Sequence, residues 1–383
     1  MQIIAVTTPQ LAKRFLQVAV DLYKNDPVWV RPWDHDIEAV FDEHKNKLFR
    51  NGTAMRWLLK NEQGQFIGRV AAFINNNTNK DATGGMGFFD CINDQAAANL
   101  LFDTCKNWLQ ESGMKAMEGP INFGDRDKWW GLLVDGFVHP TYGMNYNPPY
   151  YKTLFENYGF CNYFEQYVYR YIVAQPVPDK FGEKAERIAK DPKYRFDHLH
   201  KNDLDKYTAY FHEVYNAAWG KHIGFKPIKL EQAQKIMQTI KPIMDPKIIW
   251  FGFYEDRPIA FFIMLPELNQ VVKKLNGQFS WYHKLKFMYL LKMTRSVNKM
   301  YGVIFGVVPE FQGKGVEGGI IKAAEKVVQP LNKYDELQMN WIGSFNPKMI
   351  NIVESLQTEK VKTLVTYRYL FDRTLPFQPH PII

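Results

Sequence analysis

Cysteine is scarce in this chain: Cys91, Cys105 and Cys161 are the 3 in 383 residues. They stand at no metal-ligand spacing and make no even set, so neither a metal site nor a disulfide framework is expected, and a reducing compartment suits the chain. Each reads as a small core residue. No apolar run is long enough to cross a bilayer; the longest candidate, 248–265, is cut by Glu255, Asp256 and Arg257. The start, MQIIAVTTPQ, has neither the basic residues nor the apolar stretch of a secretion signal. These absences give the expectation of a soluble, cytoplasmic protein. Others remove reaction classes. No GxSxG is present for a serine hydrolase, and no GxxxxGK[ST] for a P-loop nucleotide site. The 48 Lys+Arg are nearly matched by 40 Asp+Glu and follow no reader motif, so no nucleic-acid partner is expected.

What is present is ample apolar material, 46% hydrophobic and 15% aromatic, enough for two cores. The informative stretch is 301–328. Val303, Ile304, Val307 and Val308 read as a buried strand that Pro309 ends. Gln312-Gly313-Lys314-Gly315 follows, and then a helical pattern with Ile320, Ile321, Ala324 and Val327 on one side. A strand, a glycine-bearing turn and a helix start together make an anion site, because the first helical N–H groups lack internal partners and the dipole favours negative charge there. A net charge of +8 is a mild bias towards anionic partners.

Val307, Pro309, Gln312 and Gly315 resemble the pyrophosphate loop of the Gcn5-related N-acetyltransferase (GNAT) superfamily, Val-x-Pro-x-x-Gln/Arg-x-x-Gly-x-Gly/Ala. Glu317 departs from that pattern, with Gly318 one place later. The order of elements extends the resemblance. Each half reads as helix, hairpin, strand, long helix, strand, Asn-Pro helix and strand. Asn147-Pro148 opens the short helix in the first half, with Glu156 beyond it; Asn346-Pro347 and Glu354 repeat this in the second. Pro176 and Pro178 mark a linker. The fold class expected is α/β, two GNAT-like domains in tandem with mixed central sheets flanked by helices, residues 1–175 and 176–383. The chain also resembles a group of two-domain bacterial acetyltransferase-like proteins at Gly119–Phe123, Gly131–Phe137, Asn147–Tyr151 and Leu337–Asn346.

The resemblance implies acetyl-CoA, or another acyl-CoA, as cofactor and acyl transfer to a primary amine of a small molecule or peptide. It places the cofactor on Val307, Val308, Gln312, Gly313, Lys314, Gly315, Val316 and Asn346. The family's tyrosine acid is replaced by Val353, so Tyr301, Tyr367 and Tyr369 are candidate acids or core aromatics. Glu310 is a candidate base or a solvated loop carboxylate. The first half has Asn93-Asp94-Gln95 in place of the loop, an acid where a phosphate would sit, and is expected not to bind CoA. Its segment Asp125, Arg126, Asp127, Trp129, Trp130 suits a cationic or aromatic-bearing amine, or else is a structural loop. Between Glu267 and Glu310 no acid occurs, while lysines gather with Trp281, Leu285, Met288 and Leu291. Residues 273–299 therefore read as a packed insertion in the first place, and as a membrane-surface contact in the second. Glu317 and Val353 keep open a non-catalytic alternative, a CoA-binding or interaction module.

Overall fold

The computed structural model describes residues 1–76, 81–178, 183, 185–188, 190–220 and 227–382. In chain order, the first half forms β1 (Gln2–Ala5), α1 (Pro9–Tyr23), α2 (Asp34–Val40), β2 (Gly52–Lys60), β3 (Phe66–Asn75), β4 (Thr83–Cys91), α3 (Gln95–Glu111), β5 (Ala116–Gly119), β6 (Leu132–Asp135), α4 (Tyr151–Tyr158) and β7 (Cys161–Ile172). The second half forms β8 (Tyr194–His198), α5 (Leu204–Trp219), α6 (Leu230–Ile240), β9 (Ile249–Tyr254), β10 (Arg257–Pro266), α7 (Asn269–Val272), α8 (Trp281–Lys292), β11 (Lys299–Val307), α9 (Val316–Val328), β12 (Glu336–Gly343), α10 (Pro347–Ser355) and β13 (Glu359–Leu370).

Local chemistry sets many of these boundaries. The Thr8 hydroxyl accepts from the Leu11 N–H at 3.3 Å and Pro9 opens α1, whose buried side is Phe15, Val18, Ala19 and Tyr23. Asp94 caps α3 by accepting from Ala97 N–H at 2.9 Å, and Ala97, Leu101, Cys105 and Leu109 turn inward. Gly159, with φ 103°, stops α4 in the left-handed conformation that a side chain resists.

The strands form one mixed sheet in the order β1-β2-β3-β4-β5-β13-β7-β12-β11-β10-β9-β8, with β6 added beside β13. Each half contains one parallel pair that holds only briefly. Thr83–Gly85 of β4 meets Ala116–Glu118 of β5, and Lys299–Gly302 of β11 meets Glu336–Met339 of β12. Beyond those residues the strands part.

The last strands are exchanged. β7, from the first half, pairs with β12; β13, from the second, pairs with β5; and the two pair with each other. The expected division at 175/176 thus separates the chain but not the sheet. The exchange also explains the repeated glutamates. Tyr169 on β7 donates to Glu354 on α10 at 3.2 Å, and Tyr367 on β13 donates to Glu156 on α4 at 3.0 Å. Each glutamate holds the strand lent by the other half. The two main apolar cores are correspondingly mixed, with Val365, Tyr367 and Tyr369 completing the first and Tyr169 and Val173 the second.

A charge pair is buried between the sheet and α1. Arg69 Nε donates to Asp90 at 2.6 Å, Arg69 Nη1 donates to the Phe15 carbonyl at 2.8 Å, and the Tyr23 hydroxyl donates to Asp90 at 2.7 Å. Both ions are nearly inaccessible. Removing one partner would leave the other buried and uncompensated, so Arg69→Ala is expected to cost about 3–5 kcal/mol. A denaturant titration of parent and variant measures this, and a loss below about 1 kcal/mol would refute the pair's structural role.

Candidate active site

The second parallel pair opens next to the glycine turn. β11 ends at Val307, a short 3₁₀ turn covers Pro309–Phe311, and Gly313 (φ 72°) and Gly315 (φ 96°) carry the chain into α9. Gly315 is the N-cap, so no side chain competes for the first-turn N–H groups of α9. Nothing lies within 4 Å of a Cβ built on Gly313, which leaves its outer face open to a ligand. The Gln312 side chain is used locally, donating from Nε2 to the Val307 carbonyl at 3.0 Å, and Val308 N–H donates to Ile259 at 2.9 Å. Lys314 is exposed, with Nζ 5.3 Å from the centre of the Phe311 ring. Gly313, Gly315 and Gly318 also spell GxGxxG. The antiparallel β10 beside β11 and the parting of β11 from β12 are foreign to the parallel dinucleotide sheet that pattern serves.

A cavity of about 260 Å³ lies over the opening between β11 and β12, under α9 and α10. Met300, Met339, Ala324, Val328, Met349 and Val353 are among its walls; the wall is mostly hydrocarbon, with Glu325, Gln329 and Asn340 as polar members. Asn346 and Trp341 also line it. Asn346 caps α10 by accepting from Met349 N–H at 3.1 Å, which places its amide at the wall. The strand positions that front the cavity are Gly302 to Phe305, just before the expected Val307 and Val308.

The corresponding opening in the first half is smaller, with a cavity of about 90 Å³ among Phe88, Phe89, Asp90, Pro120, Leu132 and Tyr151. Asp94's own carboxylate occupies the start of α3, where an anion would otherwise be drawn. Both main-chain groups of Cys91, at the end of β4, are also taken. Its N–H donates to the Tyr151 hydroxyl at 2.8 Å, and its carbonyl accepts from the Tyr150 hydroxyl at 2.8 Å.

The proton-handling candidates are not brought together. Glu310 is exposed and accepts from Arg257 Nη1 at 2.6 Å. Tyr367 belongs to the first core, bonded to Glu156. Tyr301 pairs with Gln338 in the sheet, so strand alternation turns both away from the cavity walled by Met300 and Met339. Burial and the nearby Glu267 carboxylate hold the Tyr301 hydroxyl well above its ordinary range, so it stays a proton donor and not a base.

Tyr301 belongs to a polar face that sequence reasoning missed. Glu267 is buried and accepts N–H groups from Tyr142 (2.8 Å), Asn269 (3.0 Å) and Gln270 (3.1 Å), clamping the first half to the start of α7. Burial raises its pKa. Lys362, buried on β13, donates to Gln338 Oε1 at 3.2 Å, and Gln338 donates to Glu336 at 2.8 Å. No periodicity in the sequence marks these residues, since two of the carboxylates look like loop and edge residues until the exchanged strand arrives.

Burial lowers Lys362 to about 8. A native lysine with a depressed pKa binds fewer protons than the unfolded chain between about pH 8 and pH 10.4, so stability rises with pH across that window. Relative to Lys362→Met, the parent is expected to gain up to about 3 kcal/mol between pH 8 and pH 10. Parallel unfolding curves at both pH values check this, and an unchanged difference would contradict it.

The segment 125–130 does reach this region. The Arg126 carbonyl accepts from Trp341 Nε1 at 3.1 Å, tying the segment to a residue of the cavity wall. The Arg126 guanidinium lies 5.5 Å from the Trp130 ring centre. Desolvation and the neighbouring Asp125 raise the Asp127 pKa, and Asp127 in turn bears on Tyr142 and Tyr301. Trp129 and Lys128 also line that smaller cavity of about 90 Å³, together with Asn269 of the second half.

Strand order, two parallel pairs that part, a glycine turn leading into α9 and an Asn-capped α10 define a tandem GNAT fold. Solved structures agree. A tandem GNAT protein from the clavulanic acid biosynthesis pathway superposes with a TM-score of 0.55 over 98% of this chain and 99% of that one, at 9% identity. A GCN5-related glucosamine N-acetyltransferase region of a fungal multi-domain GH3 β-N-acetylglucosaminidase gives a TM-score of 0.54 over 96% of this chain, at 13% identity; the match spans 38% of that longer chain. No protein-family model matches the chain. In sequence, it is 25% identical over 379 residues to a protein of Caulobacter vibrioides (strain NA1000 / CB15N) named bacterial ceramide synthase, covering 96% of this chain and 97% of that one. It is 24% identical over 371 residues to protein YghO of Escherichia coli (strain K12), covering 93% and 92%. Among the described residues, no helix is long and apolar enough to cross a membrane.

Proposed function

We propose that the chain is an acyl-CoA-dependent N-acyltransferase whose donor carries a long acyl chain rather than acetyl. The observation that carries this reading is the hydrocarbon-walled cavity over the β11/β12 opening. An acetyl group would leave most of that wall facing water, whereas a long chain would fill it, at roughly 0.8 kcal/mol per buried methylene. The first-turn N–H groups of α9 would hold the pyrophosphate, with Gly313 and Gly315 permitting close approach and Lys314 adding charge from solvent. The pantetheine arm would run along Gly302–Phe305 past Asn346.

The acceptor is read as a primary amine on an amphiphile. It would approach from the opposite, polar face of the sheet, between Tyr301 and the segment Asp125–Trp130. The near full-length similarity to a protein named ceramide synthase supports an amine of that lipid-like kind. Its nitrogen attacks the thioester carbonyl, an N–C bond forms, the C–S bond breaks, and the products are an amide and free CoA thiol. The proton leaving the amine passes to the thiolate through water or a neighbouring hydroxyl. Val353, fully buried, cannot supply it.

The test is thiol release from palmitoyl-CoA with a long-chain 2-amino alcohol as acceptor, and mass spectrometry of the amide. Amide formation at a rate well above that with acetyl-CoA supports the reading. Tight acyl-CoA binding without amide formation from any amine would replace it with a CoA-binding module.

A further inference from the structure

The connection between β10 and β11 is much longer than its counterpart between β3 and β4, and it carries α7 and α8. The inner side of α8 is anchored: Phe287 and Leu291 are buried with Val30, Trp33, Val271 and Val272. Its outer side is not. Trp281, Leu285, Tyr289 and Met293, four residues apart, stand 74%, 62%, 60% and 75% exposed, with Tyr282 at 57% beside them. Residues at that spacing lie one above another on a single helical face. Elsewhere among the described residues, exposed large apolar side chains are scattered.

The charge around this stripe has one sign. Lys273, Lys274, Lys284, Lys286, Lys292 and Arg295 surround it, and no acidic residue occurs between Glu267 and Glu310. Among the described residues none of these six cations has an acidic partner. Lys274 donates to the Ser296 hydroxyl and Lys286 to the Lys274 carbonyl, while Lys284 lies over the Phe279 ring. Packed insertion and surface contact, weighed as alternatives from the sequence, are thus the two sides of one helix.

We propose that the outer face of α8 is a docking surface for a bilayer of anionic lipid, with Trp281, Leu285, Tyr289 and Met293 entering the headgroup–acyl boundary and the surrounding lysines lying against lipid phosphates. Two tyrosines and a tryptophan beside aliphatic residues suit the interface, where each ring keeps one polar edge wet. A wholly basic border with no acid suits an anionic sheet of charge and long stems that reach over apolar surface. An acidic protein partner would gain from the lysines but would not need so much exposed hydrocarbon in one stripe. The same insertion touches the polar side of the sheet. Trp33, under α8, packs against Tyr142, and Tyr142 bonds Glu267 through its main-chain N–H. Docking on α8 would therefore bring that side of the protein towards the lipid.

The test is flotation of the full chain with vesicles, read without any acyl-transfer assay, so that its outcome is independent of the proposed reaction. With vesicles containing phosphatidylglycerol at physiological salt, the parent is expected in the floating fraction; with phosphatidylcholine alone, binding falls at least about tenfold. The variant Trp281→Glu, Leu285→Glu, Tyr289→Glu changes only exposed positions, keeps the parent's unfolding temperature and stays in solution. Lys284→Gln, Lys286→Gln, Lys292→Gln lowers binding by about tenfold or more and flattens its salt dependence. A parent that remains in solution with anionic vesicles, or a triple-Glu variant that floats as well as the parent, overturns the proposal. So does a parent that ignores vesicles but self-associates through this face.

Discussion

Replacing Gly313 and Gly315 together by aspartate is expected to abolish acyl-CoA binding, with affinity falling by about a hundredfold or more. The variant brings two negative charges to the start of α9, that at the exposed Gly313 facing outward, and like charges a few ångströms apart near a surface cost several kcal/mol. Gly313 has room for the new side chain. Both positions have positive φ, so strain alone could weaken the turn. The matching asparagine pair separates the two effects, because asparagine tolerates the left-handed conformation and carries no charge. It should bind within about tenfold of the parent. Equal loss in both variants would mean that backbone strain, and not the anion site, explains the result.

The second large effect is expected from Ala324→Phe. Ala324 sits on α9 at the wall of the apolar cavity, and a phenyl ring there would take the space assigned to the acyl chain. Turnover with palmitoyl-CoA should fall by about a hundredfold, the loss of several methylene contacts at roughly 0.8 kcal/mol each. Binding of CoA itself should be nearly unchanged, since the turn at Gly313–Gly315 is untouched. Because the ring fills an existing void, the overpacking cost stays small and the unfolding midpoint should move little. Unchanged binding and turnover of palmitoyl-CoA in this variant would show that the cavity and the anion site are not one continuous ligand path.

Much of the fold was legible because its signals are local. Thr8-Pro9, the periodic apolar side of 96–111, Gly159 and Asn346-Pro347 each act through neighbours a few residues away, and each marks a boundary or face of its element. The glycine turn was legible for the same reason. The exchange of β7 and β13 was not, since either strand could complete either sheet and alternation says nothing about its neighbour. That exchange is what removes Tyr367 from the candidate site and gives it to Glu156. Glu267 and Lys362 were missed for a related reason: they become buried only through contacts made from far along the chain. Short edge elements such as β1, β6 and β8 carry too few residues for a pattern. Asp94 was legible, and the structure adds what the sequence could not, that Tyr150 and Tyr151 take up both main-chain groups of Cys91 at the end of β4.

The central claim is that one ligand path joins the start of α9 to the apolar cavity. Its most direct test is a calorimetric titration of the full chain with CoA, acetyl-CoA and a non-hydrolysable palmitoyl-CoA analogue below its micelle concentration. The account predicts that all three bind, that CoA and acetyl-CoA differ little, and that the long-chain analogue binds at least about tenfold tighter with a more negative heat-capacity change. Equal affinities for all three, or a long-chain analogue that binds without any contribution from the Gly313–Gly315 turn, would contradict it.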